Sequence, residues 1–412
     1  MNFIIRIITV TIVVIVSDIY FFRAIKALFV KDNLKQKRLK IILIIMTLIF
    51  AAFEASWFLI IGYPGDDPIK YRQLYMLLNI FILLYLPKSA MAVPIIIYDL
   101  FRFITLLFRK TDATGFKLRR SLWIYILSLF VFTVALAFCI HGFTYGKTNI
   151  KLKNINLNYS GLPEEFNGFK IIQISDLHLG SYKDTCFISK ATRIIKDLSP
   201  DMLLMTGDMI NVSDVETENY VNIFSDLKFP YGKFCILGNH DIGDYFKLRE
   251  INNQAEITNK LVEAEKKMGF VVLIDSACYI KKGKDSIALA GVNNIGNYPF
   301  KRTGDLNKAL SYTKNNDFVI LMSHDPNHWK DEVSGGTNIS LTLSGHTHAM
   351  QLACVTDMFK FSPSRFIFKY WYGSYTYGEQ VLYVNPGLGY SGFSARIGVK
   401  PEITIITLNK KG

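Results

Sequence analysis

Residues that could bind metal ions recur at the ends of apolar runs in the C-terminal part of the chain. Asp176 and His178 follow the apolar run IIQI. Residues two apart on an extended chain project to the same side, so both side chains can face one cation. Later apolar runs end in Gly207-Asp208, in Gly238-Asn239-His240-Asp241, in His324, and in His346 and His348. Because ligand sites of α/β sheets form beyond the carboxyl ends of strands, we expect these side chains to lie together.

The distribution of histidine argues against coincidence. A single D-x-H or G-H-x-H is more often a turn or a hydrogen-bonded core histidine than a metal site. The chain has only seven His, however, and five of them occupy these strand ends. Carboxylates beside imidazoles suit Mn, Fe or Zn rather than Ca, and two adjacent divalent ions can activate water against a phosphate ester. The pattern therefore indicates a metal-dependent phosphoesterase.

The order and spacing of these motifs resemble the signature of the calcineurin-like metallophosphoesterases, over roughly residues 150 to 409. Within that superfamily, SPDMLLMTGD and the C-terminal YVNPGLGYSGFSARIGVKPEITIITL resemble the branch of membrane-associated or exported bacterial phosphoesterases, which includes animal transmembrane members. The resemblance implies two divalent metal ions and hydrolysis by a metal-activated hydroxide, with no covalent enzyme intermediate. It implies one ion on Asp176, His178 and His348, a second ion on Asn239, His324 and His346, and Asp208 as the bridge.

Two residues beside these ligands are expected to act in catalysis. In the family the equivalent of His240 assists the leaving group or stabilises the transition state. We expect Asp241 to accept a hydrogen bond from the His240 imidazole and to raise its pKa. Arg396 has two interpretations, as a phosphate contact or as a partner in a surface salt bridge.

One departure from the branch is visible. The branch usually follows G-H-T-H with Gly-Gly-Gln, whereas this chain has Ala349 and Met350 before Gln351. We expect the added side chains to narrow the backbone beside the metals and to affect substrate fit more than metal binding.

The N-terminal third contains four apolar segments, at residues 4–22, 40–63, 73–97 and 121–141. About 20 apolar residues are needed to cross a bilayer as a helix. Pro87, Lys88 and Pro94 interrupt the third segment and predict a kink with a polar intrusion. A signal peptide is the alternative for the first segment, but no small-residue cleavage site follows Phe22.

The fold class that follows is an N-terminal α-helical membrane domain and an α/β layered domain of the αββα sandwich type. We expect the membrane domain to span residues 1–145 and the metallophosphoesterase domain to span residues 150–412. In the second part apolar strands alternate with helical stretches, such as a helix at 185–198 and a strand at 270–274. The five Cys are scattered among apolar neighbours and are interpreted as small core residues.

The net charge of +13 belongs mainly to the membrane part. Residues 1–120 hold 17 Lys and Arg against 7 Asp and Glu, a balance of +10 that leaves +3 for the rest. The basic loops at 23–40 and 109–120 are predicted to be cytoplasmic by the positive-inside rule. The fourth helix then places the catalytic domain outside the cytoplasm, on the plasma (inner) membrane.

The leading hypothesis is a membrane-anchored hydrolase of phosphodiester or pyrophosphate bonds, with lipid as a partner. A catalytically silent sensor or scaffold is disfavoured because all the proposed ligands are present. A nucleic-acid phosphoesterase is disfavoured by the weak charge of the catalytic part, so no nucleic-acid partner is expected. The basic and aromatic segment 359–377 is interpreted as a folded β-rich loop. The alternative is an amphipathic lip that admits a lipid-linked substrate.

Overall fold

A computed structural model describes residues 3–29, parts of 37–49, and residues 68–108, 121–243, 251–296, 302–356 and 358–412. The chain forms two compact units. One comprises residues 1–64 and 73–141, and the other comprises residues 65–72 and 142–412.

The described residues of the first unit form three long helices, α1 (Phe3–Phe29), α2 (Pro68–Leu107) and α3 (Leu122–His141). Among the described residues, Tyr75–Thr105 and Leu122–Gly146 are long and apolar enough to cross a membrane. The described residues between 40 and 49 are also helical, whereas the rest of the predicted span 40–63 lies outside the described residues.

Helix α2 differs from its prediction in length. It continues through Pro87 and Pro94 and ends ten residues beyond the predicted boundary at Ile97. A proline removes one intrahelical hydrogen bond, and helices in membranes tolerate this loss where neighbouring groups satisfy the backbone. The predicted polar intrusion at Lys88 is present as a buried ion pair, in which Nζ donates to Asp18 Oδ1 at 2.8 Å.

The described residues of the second unit are built on two six-stranded sheets. The first has the order β1 (Lys151–Tyr159), β14 (Glu402–Lys410), β2 (Phe169–Ile174), β3 (Met202–Met205), β4 (Lys233–Cys235) and β5 (Val271–Val272). The second has the order β12 (Gly373–Tyr377), β13 (Gln380–Val384), β9 (Ile339–Ser344), β8 (Val319–Met322), β7 (Asp285–Gly291) and β6 (Ser276–Lys282). A short hairpin, β10 (Cys354–Val355) with β11 (Lys360–Phe361), lies outside both sheets.

The sheets pack face to face because their strands alternate between two apolar faces. Ile171 belongs to the core between the sheets, together with Leu289 and Leu343 of the second sheet. Its neighbour Ile172 points to the opposite face and packs with Ile188 of α4 (Cys186–Asp197). Each such fully buried Ile or Leu contributes about 1.5 to 3 kcal/mol.

Helices cover the two outer faces. Helices α4, α5 (Val221–Ser225) and α6 (Ile251–Lys267) lie on the first sheet, and α7 (Leu306–Leu310) lies on the second. The predicted layered αββα sandwich is therefore confirmed. Strands β2, β3 and β4 run parallel, as do β7, β8, β9 and β13, so the carboxyl ends of each set meet at one edge.

Candidate metal centre

The carboxyl ends of five strands deliver the predicted ligands to one place. Asp176 and His178 follow β2, Asp208 follows β3, and Asn239 follows β4. From the second sheet, His324 follows β8, while His346 and His348 follow β9. The side chain of Gln173 joins the two sheets beneath the site, because its Nε2 donates to Thr206 Oγ1 at 3.1 Å and to the Ser344 carbonyl at 2.9 Å.

One group of ligands consists of Asp176, His178 and His348, whose ligand atoms lie within 4.8 Å of one another. Nε2 of His178 is 3.0 Å from Nε2 of His348, which in turn is 3.2 Å from Oδ1 of Asp176. All three side chains are buried. This group corresponds to the set that the resemblance implied for the first ion.

A second group consists of Asp208, His324 and His346. Nε2 of His324 is 3.1 Å from Oδ2 of Asp208, and Nδ1 of His346 is 2.8 Å from Oδ1 of Asn239. Oδ2 of Asp208 is also 3.7 Å from Nε2 of His178. Asp208 therefore lies between the two groups.

The chemistry of these side chains fits divalent cations. Burial lowers the pKa of His178 to about 3 and that of His346 to about 4, so both imidazoles are neutral and offer lone pairs. Burial raises the pKa of Asp176 to about 7, and the nearby Asp208 carboxylate adds to this effect. Neutral imidazoles do not balance the charge of the carboxylates. A cation bound between these groups would supply positive charge and keep the carboxylates ionised. Imidazole and carboxylate ligands together suit Mn, Fe or Zn.

The backbone at the predicted ligands is strained. Asp176, His178, Asp208, His346 and His348 all have left-handed conformations, with φ between 46° and 72°. Such conformations cost about 1 to 3 kcal/mol each in residues other than glycine and cluster at functional sites. The surrounding structure must therefore hold these five residues in place.

Two glycines allow the backbone to approach the predicted ligands Asp208 and Asp176 closely. A Cβ at Gly238 would collide with the carboxylate of Asp208, and a Cβ at Gly345 would collide with Ser175 and the Asp176 carboxylate. The glycines of G-N-H-D and G-H-T-H are therefore required by the packing of the site, since no other residue lacks a Cβ.

Comparison with known proteins identifies the family. Residues 169–350 match the family model described as "Calcineurin-like phosphoesterase", and residues 1–147 match "Probable Calcineurin-like phosphoesterase, transmembrane domain". A relative from Bacillus subtilis, "Uncharacterized metallophosphoesterase YkuE", is 31% identical over 60% of this chain and 81% of its own length. The chain belongs to the calcineurin-like phosphoesterases. The predicted membership, the membrane-spanning region and the class of phosphoester hydrolase are thereby confirmed.

Two further relatives carry more specific names. "Transmembrane protein with metallophosphoesterase domain" from Danio rerio is 27% identical over 69% of this chain, which spans 62% of the relative's length. "UDP-2,3-diacylglucosamine pyrophosphatase LpxG" from Chlamydia muridarum is 28% identical over 60% of this chain and 86% of its own length.

The contacts of Asp241 in this phosphoesterase correct one prediction. Oδ2 of Asp241 accepts the backbone N–H groups of Asp208 at 2.7 Å and Gly238 at 2.9 Å, and Oδ1 accepts that of Ile210 at 3.2 Å. Nδ1 of His240 instead lies 2.7 Å from the carbonyl oxygen of Asn211. The expectation that Asp241 orients the imidazole is therefore wrong, because its carboxylate is directed at the strand-end backbone and so positions Asp208.

His240 itself adjoins both carboxylate and imidazole ligands. Its backbone N–H donates to Oδ1 of Asp208 at 2.9 Å, and its ring meets that of His178 edge to face, with centroids 4.6 Å apart. His240 is 8% exposed, as is His348, whereas His178 and His324 are fully buried and His346 is partly buried. His240 therefore contacts Asp208 through its backbone and places its ring against that of a predicted ligand.

Glu216 was missed by the sequence analysis. Its Oε2 accepts the backbone N–H groups of Gly180 and Asn211, and its Oε1 accepts those of Val212 and Ser213. Burial raises the pKa of Glu216 to about 7, against the effect of these four donors. Ser213 and Glu216 form a capping box, and this S-x-x-E spacing is a signal that the sequence did contain.

Arg396 is buried rather than on the surface, so its interpretation as a surface salt bridge is wrong. Nε of Arg396 donates to the Gly389 carbonyl at 2.8 Å, and Nη2 donates to the Pro386 carbonyl at 3.0 Å. Nη2 also lies 3.4 Å from Nδ1 of His348. Arg396 thus fixes the C-terminal loop behind a predicted ligand.

Ala349 and Met350 continue the left-handed backbone, each with φ of 50°. Glycine adopts this conformation without a steric penalty, whereas Ala and Met do not. Ala349 is fully buried in a cluster with Trp371 and Tyr372, whereas Met350 is 38% exposed. The predicted effect on the substrate pocket remains a prediction.

Proposed function

We propose that this protein is a membrane-anchored phosphoesterase that hydrolyses phosphodiester or pyrophosphate bonds with two divalent metal ions. The main support is the position of Asp208. Its Oδ2 lies 3.1 Å from Nε2 of His324 and 3.7 Å from Nε2 of His178, so one carboxylate adjoins both ligand groups. A bridging carboxylate of this kind is what a dinuclear centre requires.

The residues have distinct roles in this proposal. Asp176, His178 and His348 would hold one ion, Asn239, His324 and His346 would hold the other, and Asp208 would bridge them. Two ions at these positions would neutralise charge on the phosphoryl oxygens and lower the pKa of a water molecule. His240 is fixed through Nδ1 by the Asn211 carbonyl, and we assign proton transfer to the leaving group to its Nε2. Asp241 and Arg396 position the loops that carry the ligands.

A lipid-linked pyrophosphate is the substrate class that the relatives favour. The Chlamydia muridarum relative is named as a pyrophosphatase of a diacylated sugar nucleotide, and this chain spans 86% of its length. The membrane-spanning segments of this chain hold the enzyme at a surface where such substrates reside. Mn, Fe and Zn are the candidate ions.

The catalytic unit is proposed to face away from the cytoplasm, because the basic loops at 23–40 and 109–120 favour the inner side. Protease added to intact spheroplasts should then cleave the catalytic unit. Cleavage only after lysis would show that the catalytic unit faces the cytoplasm. It would not affect the proposed catalytic function.

The dinuclear assignment is tested by Asp208→Ala in the full-length protein. We expect loss of both ions by metal analysis and loss of hydrolysis of an aryl phosphodiester. Asp197→Ala is the matched control, since Asp197 is an exposed carboxylate at the end of α4. Hydrolysis by the Asp208 variant at wild-type metal content would refute the bridging role.

A further inference from the structure

An exposed apolar surface lies beside the loop that carries His346 and His348. We call it the aromatic patch and define it as Met358, Phe359, Phe361, Phe366 and Ile367. Met358 is 99% exposed, Phe366 is 77% exposed and Ile367 is 62% exposed. Large apolar side chains clustered on a surface usually mark a site of interaction, because water solvates them poorly.

The aromatic patch is ordered by its own contacts. Met358 and Phe359 lie in the turn of the β10–β11 hairpin, and the rings of Phe359 and Phe361 stack with centroids 6.4 Å apart. The Arg365 guanidinium lies 5.8 Å from the Phe361 ring centroid and 5.9 Å from that of Phe366. This cation holds the two rings together while all three side chains remain exposed.

The charge of the segment indicates the kind of surface that it meets. Lys360, Arg365 and Lys369 are exposed, and the sequence from 357 to 369 contains one acid, Asp357. Three cations and one anion give a net charge of +2. Aromatic rings beside Lys and Arg are typical of the interface of a bilayer with anionic lipids, where rings enter the headgroup region and cations meet phosphates.

The segment that carries the aromatic patch is joined to the metal centre. Ser362 Oγ donates to the Ala349 carbonyl at 2.7 Å, and Thr347 Oγ donates to the Trp371 carbonyl at 2.7 Å. The Phe368 ring meets the His346 ring edge to face at 5.3 Å between centroids. One residue within the patch segment and two residues just after it therefore contact the loop that carries His346 and His348.

We propose that the aromatic patch inserts into the interface of an anionic bilayer and presents the metal centre to substrates held in that bilayer. The second half of this statement rests on the proposed function. The bilayer is the occupant because the segment is both apolar and cationic, and because the same chain carries membrane-spanning helices. Insertion would bring lipid phosphates toward the loop that holds His346 and His348.

Insertion is measured with fluorescent labels on the full-length protein in nanodiscs. Cys186 and Cys354 are exposed, so their interpretation as core residues is wrong, and both are replaced by Ser. A nitrobenzoxadiazole label is then placed at Met358→Cys, at Phe366→Cys, or at the control Tyr312→Cys. Tyr312 is a 53% exposed aromatic outside the aromatic patch. We expect blue-shifted emission and quenching by doxyl-labelled lipid at the two patch positions, and neither effect at the control.

The contribution of charge to insertion is tested by changing the charge of the lipid and then the charge of the protein. Discs that contain phosphatidylglycerol should give stronger quenching than discs of phosphatidylcholine alone. Lys360→Glu with Arg365→Glu should remove that difference. Equal, unquenched emission at all three label positions would overturn the proposal, as would burial of the patch labels against a second copy of the chain without contact with lipid.

A kinetic measurement separates this inference from the proposed function. Phe366→Asp with Ile367→Asp is compared with Tyr312→Asp, using a soluble aryl phosphodiester and CDP-diacylglycerol embedded in the disc. The ratio of lipid to soluble hydrolysis should fall about tenfold in the patch variant, since burial of one Phe or Ile side chain corresponds to at least this factor. An unchanged ratio of lipid to soluble hydrolysis in the patch variant would refute the proposal that the aromatic patch presents the metal centre to substrates in the bilayer. Inactivity of the wild type on both substrates would count against the proposed function, while the quenching would still decide insertion.

Discussion

Replacement of Glu216 by Gln should destabilise the catalytic unit, although it changes one atom and conserves shape. Oε2 of Glu216 accepts N–H groups from Gly180 at 3.0 Å and Asn211 at 2.6 Å. Oε1 accepts those of Val212 at 3.0 Å and Ser213 at 3.3 Å. An amide has one oxygen, so in either orientation its NH₂ group faces two N–H donors.

The size of the effect follows from this count. A buried donor without an acceptor costs about 1 to 3 kcal/mol, so two such donors cost about 4 kcal/mol. For a domain of this size each kcal/mol lowers the thermal midpoint by about 2 to 4 °C. Glu216→Gln should therefore lower the midpoint of the catalytic unit by roughly 10 °C.

The assay is thermal unfolding of the full-length protein in detergent, followed by intrinsic fluorescence. Glu218→Gln is the matched control, because Glu218 is exposed two residues away. The Asn211 carbonyl contacts His240, so Glu216→Gln should also slow hydrolysis below the temperature of unfolding. A midpoint shift no larger than that of Glu218→Gln would show that the carboxylate does not hold this loop.

Three further predictions concern catalysis, strain and pH. His240→Asn should keep its metal content and lose about 10²-fold in kcat, the scale of proton-transfer catalysis; an emptied site in metal analysis would make His240 a ligand instead. Met350→Gly should stabilise the protein by about 0.5 to 1 kcal/mol, because relief of the left-handed conformation exceeds the entropic cost of glycine, and an unchanged thermal midpoint would contradict this. Burial lowers the pKa of His328 from 6.5 to about 3, so between these pH values the imidazole is protonated in the unfolded chain and neutral in the folded protein. The contribution of neutral His328 to the free energy of unfolding is therefore complete above pH 6.5 and is lost as the pH falls toward about 3. His328→Gln should therefore show a shallower decline of the thermal midpoint over that range than the wild type.

The sequence predicted what local patterns determine. Apolar runs that end in Asp, Asn or His located β2, β3, β4, β8 and β9, and the helix predicted at 185–198 is α4, Cys186–Asp197. The predicted metal ligands could be expected to lie together because they follow these strands directly. The hydrophobic length of the N-terminal segments likewise predicted a membrane region.

Contacts between distant segments could not be predicted in the same way. β14 lies between β1 and β2, although β2 ends at Ile174 and β14 begins only at Glu402. The role of Asp241 depends on backbone groups of Asp208 and Ile210, about thirty residues earlier in the chain. No local sequence pattern indicates contacts between residues so far apart in the chain. A hydrogen bond between Asp241 and His240 was expected because they are adjacent in sequence, but in the fold the Asp241 carboxylate contacts backbone N–H groups instead.

The strained ligands and the buried carboxylates have a common physical explanation. Asp208 has φ of 58°, and its own N–H is held by the Asp241 carboxylate at 2.7 Å. The loop after Asp208 is held by Glu216 through Asn211, Val212 and Ser213. A left-handed residue persists only where its surroundings compensate the cost, and charge-assisted hydrogen bonds from buried carboxylates are strong enough to do so. The hydrogen bonds that these two carboxylates accept therefore hold the backbone in the conformation that directs the predicted metal ligands toward one another.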